Sequence, residues 1–218
     1  MIVQIDDLLK DVRVSIDHNK VSEPLVTSGD IDTLSLDDII KSKVLDAVRT
    51  VEMTAPVYML EGGHSFAYDG ENDASQIYWG EDGTGWILLP DDFMRLVAFQ
   101  MSDWERPCVE AISASDPAYQ LQRSSIAGIR GNWQRPVCAI TARPEGKVLE
   151  FYSSKDDAAT VTRAVYIPYP EVDKNGGVDV SKRCYRSIVY MCAGLSLATI
   201  GEDNMSSNMM NLSKNLLI

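Results

Sequence analysis

The stretch LPDDFMRLVAFQMSDW, residues 89–104, constrains the fold more than any other part of the sequence. It continues an apolar run, residues 86–89, which predicts a strand that Pro90 ends because proline has no backbone N–H. A second strand is indicated by apolar residues that alternate with small or polar ones: Val97, Phe99 and Met101 against Ala98, Gln100 and Ser102. Such alternation is typical of a strand that buries one face. The residues between the two strands are predicted to form a structural corner: Pro90, Asp91, Asp92 and Phe93.

The N-terminal part of the chain has helical periodicity. Apolar residues recur at helical spacing over residues 5–16, whereas residues 19–30, which contain proline and glycine, are typical of a loop. A second helix is predicted to begin after Ser35, because Asp38 follows it at the spacing of a capping box. We expect this helix to end by about Thr54, since a proline follows two residues later.

The C-terminal part is also predicted to be helical. Ser181 can start a long helix, and Gly201 lies where a left-handed C-terminal cap belongs. A last helix is predicted over residues 205–217, with an apolar stripe at spacing i, i+4, i+7 and i+11: Met205, Met209, Leu212 and Leu216. A stripe of this kind is expected to be buried against another surface. That surface is either the core of the same subunit, or a portal protein or neighbouring subunit on which the helix docks.

The middle of the chain, residues 57–180, has strand and turn signals instead. The predicted strands are residues 57–60, 77–79, 86–89, 137–142, 148–152 and 163–167. The predicted fold class is therefore α+β. Helices in residues 1–56 pack with helices in residues 181–218 as a helical module, and the region between them is mainly antiparallel β, in one domain overall.

Composition and charge exclude several functions. Of 218 residues, 45% are hydrophobic and 24% charged, as in a globular protein. The net charge is −12, and the first 100 residues carry 19 acidic against 7 basic side chains. Tight binding to nucleic acid is not expected, because it needs clustered Lys and Arg. The four cysteines have no CxxC spacing, and no signal peptide or membrane span is recognised, which indicates reduced thiols and synthesis in a cytoplasm.

The sequence offers no catalytic or metal-binding site, and no cofactor is predicted. Neither His18 nor His64 has a nucleophile in a suitable sequence context. Residues 69–80 and 173–184 begin like calcium-binding loops, but both lack the glutamate needed at the twelfth position. We therefore expect that the protein is not an enzyme.

The segment RSSIAGIRGNWQR, residues 123–135, combines arginines and a tryptophan with loop-forming glycines. Arg and Trp are enriched at interface hot spots. The segment therefore supplies candidate subunit-interface residues: Arg123, Arg130, Trp133 and Arg135. The alternative is an ordinary surface loop whose tryptophan folds back onto the core.

Four parts of the chain resemble head–tail connector proteins, the adaptor or gatekeeper neck rings of short-tailed bacteriophages. They are the short helices that open the chain, the stretch LPDDFMRL, the strand pair RPV (residues 135–137) and LEFY (residues 149–152), and the helix over residues 185–201. The likeness is greatest to neck-ring proteins of crAss-like phages. The acidic region over residues 70–85 has no counterpart in that family.

The resemblance implies a structural virion protein, made in the host cytoplasm and located in the neck. It implies a ring of about twelve subunits, closed by a heterologous interface. The ring would bind the portal protein, extend the DNA channel and carry further tail or neck proteins, without membrane contact. An acidic wall would let genomic DNA pass without sticking. The alternative function is a carbohydrate-binding or adhesin-like β module that uses Tyr78, Trp79 and Trp86.

Overall fold

The structure, a computed structural model, describes residues 1–16, 35–61, 63–66, 77–81, 83–124, 126, 128–152, 154–155 and 157–218. The chain forms two compact units: Met1–Gly62 together with Tyr169–Ile218, and Gly63–Pro168. The predicted loop over residues 19–30 and half of the acidic region over residues 70–85 lie outside the described residues. Helices at both ends and strands in the middle confirm the predicted α+β class.

The secondary structure elements are named in chain order. The strands are β1 (Ile2–Gln4), β2 (His64–Ser65), β3 (Tyr78–Trp79), β4 (Gly85–Leu88), β5 (Phe93–Met101), β6 (Ala111–Ser113), β7 (Val137–Arg143), β8 (Gly146–Tyr152), β9 (Val161–Pro168) and β10 (Gly177–Asp179). The helices are α1 (Ile5–Ile16), α2 (Leu36–Thr54), α3 (Pro117–Leu121), α4 (Tyr185–Thr199) and α5 (Asp203–Asn215).

The helical unit is organised around α4, which contacts α1, α2 and α5. Its apolar surface is buried on several sides, so Ile188, Cys192 and Leu197 are all inaccessible to solvent. The α2 helix supplies a conventional apolar stripe whose members are fully buried: Ile40, Val44, Val48 and Val51. Burial of such stripes around one central helix is the main source of stability for this unit.

The capping box predicted for α2 is confirmed. The Ser35 hydroxyl accepts a hydrogen bond from the Asp38 backbone N–H at 3.2 Å, and the Asp38 carboxylate accepts one from the Ser35 N–H at 3.1 Å. Hydrogen bonds from Ser35 hold the pKa of the Asp38 carboxyl below its ordinary value. The predicted strand over residues 57–60 is wrong, because Pro56 starts a 3-10 turn over Val57–Met59 in which Met59 N–H donates to the Pro56 carbonyl.

A two-stranded sheet in the helical unit was not predicted. β1 and β10 pair antiparallel, with Ile2 opposite Asp179. The strand β10 therefore belongs to the helical unit, although the sequence assigned it to the central β region. Both strands are only three residues long, and their partners are far apart in the sequence, so no local pattern indicates the pairing.

The β unit contains two sheets in the part of the chain that the structure describes. One has the order β2-β9-β5 and the other β3-β4-β8-β7-β6. All strand pairs in this unit are antiparallel except β6–β7, which is parallel. The core is rich in aromatic side chains: Phe66, Phe93, Phe99, Trp104, Phe151 and Tyr166.

The strand predicted after the acidic corner is β5, but the expected one-sided burial is wrong. Leu96, Val97, Ala98 and Phe99 are buried in succession. Shifts in register against β9 interrupt the period-2 alternation, one of them between Leu96 and Ala98. A bulge in this position cannot be read from the pattern of apolar residues.

The four corner residues form a turn between β4 and β5. The Phe93 N–H donates to the Pro90 carbonyl at 3.0 Å, and Asp91 is exposed. The Asp92 carboxylate accepts a hydrogen bond from the Tyr166 hydroxyl of β9 at 2.8 Å. Burial, together with this hydrogen bond, raises the pKa of Tyr166 to about 12. The hydrogen bond thus joins the corner to β9, the strand that pairs with β5, and Asp92 has a structural role there.

Candidate functional site

The first candidate surface is the outer face of α5. Three residues of the predicted stripe are substantially exposed: Met205 is 38% accessible, Leu212 46% and Leu216 45%. Met209 is half-buried, and Ile218 just beyond the helix is 95% exposed. Within the described residues, the core of the same subunit therefore does not bury this stripe, which was one of the two possibilities considered for it.

The inner face of α5 is built from serines, which pair with small residues of α4. The Ser213 hydroxyl donates to the Ser187 carbonyl at 2.8 Å, and the two hydroxyls lie 2.8 Å apart. About two helical turns away, the Ser206 hydroxyl donates a hydrogen bond to the Gly194 carbonyl at 2.8 Å. All four residues are buried, and each pair is separated from the other by seven residues on both helices. The helices therefore run antiparallel along a seam of small side chains.

Gly194 shows how closely the two helices approach. A Cβ atom at this position would lie 2.7 Å from Cγ of Met210 and 3.1 Å from the Ser206 carbonyl oxygen. Contacts this short are not tolerated in packed interiors. Small residues let the backbones approach, and Met210 packs against Gly194 at this seam, whereas Met205, Leu212 and Leu216 lie on the outer face of α5.

The outer face of α5 is also poor in charge. Asp203 and Lys214 are the charged residues of the helix, and the remaining exposed positions are mostly Asn and Ser. In a chain of net charge −12, this surface combines apolar side chains with neutral amides. Depletion of charge around an apolar centre is the composition of a protein interface.

The second candidate site is a pocket of about 360 Å³ in the β unit. It lies on the face of β4 and β8 that carries Trp86 and Glu150, which are directly opposite each other in the antiparallel pair. Its lining includes five charged residues and a tryptophan: Glu81, Arg123, Arg130, Arg143, Glu150 and Trp86. The pocket therefore brings two arginines of the segment 123–135 together with Arg143 of β7.

Glu150 is the centre of a polar network in this pocket. Its carboxylate accepts hydrogen bonds from Arg143 (Nη2 at 2.8 Å), from the Tyr152 hydroxyl at 2.8 Å and from the Tyr119 hydroxyl at 3.0 Å. Burial raises the pKa of the Glu150 carboxyl, but these hydrogen bonds together outweigh it, and the pKa lies below its ordinary value. Glu150 is thus held as a carboxylate although it is only 9% exposed.

Of the three aromatic residues proposed as a sugar-binding platform, Tyr78 is 42% exposed, whereas Trp79 and Trp86 are half-buried. The Tyr78 ring stacks on Trp86 with 4.0 Å between centroids, and the Arg143 guanidinium lies 4.8 Å from the Trp86 ring centroid. Because a ring stacked that closely leaves no room on its side, the guanidinium occupies the other face. Trp79 packs edge-on against the buried Phe151. Trp86 and Trp79 therefore offer little open surface for stacking a sugar.

The structure separates the four candidate residues of the arginine segment. Arg123 and Arg130 line the pocket, whereas Arg135 is exposed and does not. Trp133 packs against the core of the β unit, and the Lys155 ammonium lies 3.5 Å from its ring centroid. The tryptophan is thus folded back onto the core, as the alternative interpretation expected.

Two residues that position the pocket were not singled out from the sequence. Gln122 is buried, and its side-chain carbonyl accepts a hydrogen bond from the Gly131 N–H at 2.8 Å, which fixes the segment that carries Arg130. Glu150 interrupts the apolar strand LEFY. An acid between two buried residues of a strand is the signal that could have found it, since buried carboxylates need partners.

No protein-family model matches the chain. A comparison with curated proteins finds no match either. Within the described residues, no group of three or more His, Cys, Asp or Glu side chains could hold a metal ion. No described helix is both long enough and apolar enough to span a bilayer.

Proposed function

We propose that the protein is a structural subunit of a head–tail connector ring in the neck of a short-tailed bacteriophage. In this role about twelve copies form a closed ring between the portal protein and the tail. The ring extends the DNA channel and provides a platform for further tail or neck proteins. The proposal gives the protein no catalytic activity.

The observation that carries the proposal is the outward apolar stripe of α5. Three large apolar side chains follow one line along the helix at exposures between 38% and 46%: Met205, Leu212 and Leu216. Contiguous apolar surface bordered by polar residues marks interaction sites in soluble proteins. Methionine adapts to a partner of irregular shape, which suits a ring that contacts different proteins on its two sides.

The charge of the chain supports the same role. An acidic protein with net charge −12 repels the phosphate backbone and does not retain DNA that moves past it. The helix α5 carries one acidic and one basic side chain, Asp203 and Lys214, so a neighbouring subunit can approach it with little repulsion.

Native mass spectrometry and negative-stain imaging test the proposal, with the protein alone and after addition of the portal protein of the same virus. Rings are expected in at least one of the two conditions. A Leu212→Ser/Leu216→Ser double variant should fail to form them. Val14→Ser is the matched control, because Val14 is 72% exposed on α1 and lies outside the stripe.

Two results would contradict the proposal. One is a wild-type protein that stays monomeric both alone and with the portal protein. The other is a double variant that assembles as the wild type does, since the stripe of α5 would then not be an assembly surface.

A further inference from the structure

We propose that the segment between α3 and β7 docks on an acidic face of a second copy of this chain. The segment, residues 121–135, is named the basic loop; it belongs to the β unit and presents apolar side chains and arginines to solvent. The acidic face belongs to the helical unit and is formed by β1, β10 and residues 171–173. The inference rests on the proposed function, because a contact between two unlike surfaces is the kind that closes a ring.

The basic loop is fixed at its base. The Gln122 side chain is buried, and its carbonyl accepts a hydrogen bond from the Gly131 N–H at 2.8 Å. Close to Arg135, the loop ends in a turn in which the Arg135 N–H donates to the side-chain carbonyl of Asn132 at 2.9 Å. A loop whose base is already fixed loses less conformational entropy when a partner binds.

The basic loop exposes three large apolar side chains within nine residues of sequence. Leu121 is 50% exposed, Ile126 60% and Ile129 47%. A single exposed apolar residue is normal on a protein surface, whereas a local concentration of them marks an interaction site. The apolar centre of the proposed contact is therefore accessible to a partner.

The charge around these side chains is positive. Between Asp116 and Glu145 the sequence contains four arginines and no acidic residue, in a chain of net charge −12. Arg123 and Arg135 are exposed, and neither forms an ion pair within the described part of the chain. A basic surface with an apolar centre is complementary to an acidic surface with an apolar centre.

The acidic face is a small sheet with an apolar side chain on its surface. The strand β1 pairs with one side of β10, and Val172 forms a bridge to Val178 on the other side. Ile2 is 68% exposed and lies over Gly177, where a Cβ atom would be 2.6 Å from Cγ2 of Ile2.

Carboxylates border Ile2 on this face. A Cβ atom at Gly177 would also lie 2.8 Å from Oδ2 of Asp173, and Asp179 is directly opposite Ile2 in the strand pair. Glu171 is exposed and forms no ion pair with any described residue. Residues 169–181 contain three acidic side chains and one basic side chain: Glu171, Asp173, Asp179 and Lys174.

Another acidic surface with an exposed apolar residue, on α1, fits less well. Val14 is 72% exposed there, but the nearby acids already have partners. Asp7 accepts a hydrogen bond from the Lys10 ammonium at 2.9 Å, and Asp11 accepts one from the Tyr185 hydroxyl at 2.6 Å. The face around Ile2 therefore matches the basic loop better.

Charge reversal on each surface tests the inference by sedimentation velocity. A contact built from one loop and one small sheet is expected to be weak, so the measurement uses low ionic strength and a series of protein concentrations. The wild type should self-associate, and added salt should weaken the association. Arg123→Glu/Arg135→Glu and Glu171→Arg/Asp179→Arg should each associate at least tenfold more weakly. Their equimolar mixture should associate again, because each variant then meets a surface of opposite charge.

The apolar part of the contact has its own variant. Ile126→Ser/Ile129→Ser should also weaken self-association at least tenfold, because it removes the centre of the contact. Val109→Ser is the matched control, since Val109 is 47% exposed in the same unit and lies outside the basic loop. Near-UV circular dichroism verifies that each variant is folded.

The inference is overturned if the wild type stays monomeric alone, if the mixed reversal variants associate no better than either one, or if Val109→Ser weakens association as much as the isoleucine variant. A wild type that is monomeric alone but forms rings on the portal protein overturns this inference and not the proposed function. Leu212→Ser/Leu216→Ser separates the two further. Loss of association only in that variant overturns the basic-loop contact, whereas loss only in the basic-loop and acidic-face variants supports it and contradicts the role of the α5 stripe.

Discussion

The helices α2 and α5 have similar apolar stripes and use them in opposite ways. Ile40 and Val48 of α2 are fully buried against α4, whereas Leu212 and Leu216 of α5 are about half-exposed. The α5 helix contacts α4 through Ser206 and Ser213 instead. Apolar periodicity therefore identifies a face of a helix but not the partner of that face. Here a seam of small residues decides which face is turned inward.

The largest effect is expected from truncation of the α2 stripe. Ile40→Ala should lower the free energy of unfolding by about 2–5 kcal/mol, because the buried methylene groups leave a cavity that closes only in part. Urea titration followed by circular dichroism measures the change. A loss below about 1 kcal/mol would mean that the α2 face is not the tightly packed one.

Adding a methyl group at the tightly packed α4–α5 seam should have the next largest effect. Gly194→Ala is expected to destabilise the protein by about 1–2 kcal/mol, although alanine is the better helix former, because its Cβ collides with Met210 and Ser206. Gly128→Ala is the control, since a Cβ there meets nothing within 4 Å. Thermal unfolding of both variants distinguishes a steric effect from a general cost of substitution.

Removing one hydroxyl from the seam should cost less. Ser213→Ala loses the hydrogen bond to the Ser187 carbonyl and should destabilise the protein by about 1 kcal/mol. Ser207→Ala, on the exposed side of the same helix, should leave the urea midpoint unchanged or slightly raised. Equal midpoints for the two variants would show that the seam serines contribute little.

A buried carboxylate on α2 provides a smaller test that depends on pH. Burial raises the pKa of Glu52, which accepts a hydrogen bond from the Ser181 N–H at 2.7 Å. A raised pKa in the folded state means that this group stabilises the fold at acid pH and that its contribution is lost as pH rises through that pKa.

Glu52→Gln keeps an acceptor for Ser181 but cannot ionise. The variant should match the wild type near pH 4, close to the ordinary pKa of glutamate, and exceed it at neutral pH. Thermal midpoints across this interval measure the difference. A wild type that is the more stable protein at neutral pH would contradict the raised pKa.

The smallest effect is expected on the exposed stripe. Leu212→Ala should change the stability of the monomer by less than about 0.5 kcal/mol, because the side chain has little packing to lose. Measured at low protein concentration beside Ile40→Ala, it completes the comparison of α2 with α5. A large loss for Leu212→Ala would mean that its stripe is packed within the monomer.

Local signals in the sequence predicted local structure well. The capping box of Ser35 and Asp38 and the left-handed Gly201 both involve neighbours along the chain. The pairing of β1 with β10 and the bulge in β5 depend on distant strands, so no local pattern of residues predicts them.

The candidate sites show the same limit. The stripe of α5 was found from its spacing, but its direction depends on Gly194 and Ser187, which lie on another helix. Arg123 and Arg130 were found from composition. Their position in the same pocket as Glu150 depends on the pairing of β7 with β8 and on the position of α3. No single segment of the sequence specifies these two features.

The pairing of β1 with β10 has a consequence for the order of folding during synthesis. The β unit is one continuous segment, Gly63–Pro168, and can fold as soon as the ribosome has released it. The helical unit cannot close at that time, because α1 and α2 need α4, and β1 needs β10. The apolar stripes of α1 and α2 therefore remain exposed while the ribosome adds the more than 100 residues that lead to α4. Chaperones that bind nascent chains should recognise α1 and α2 during this interval.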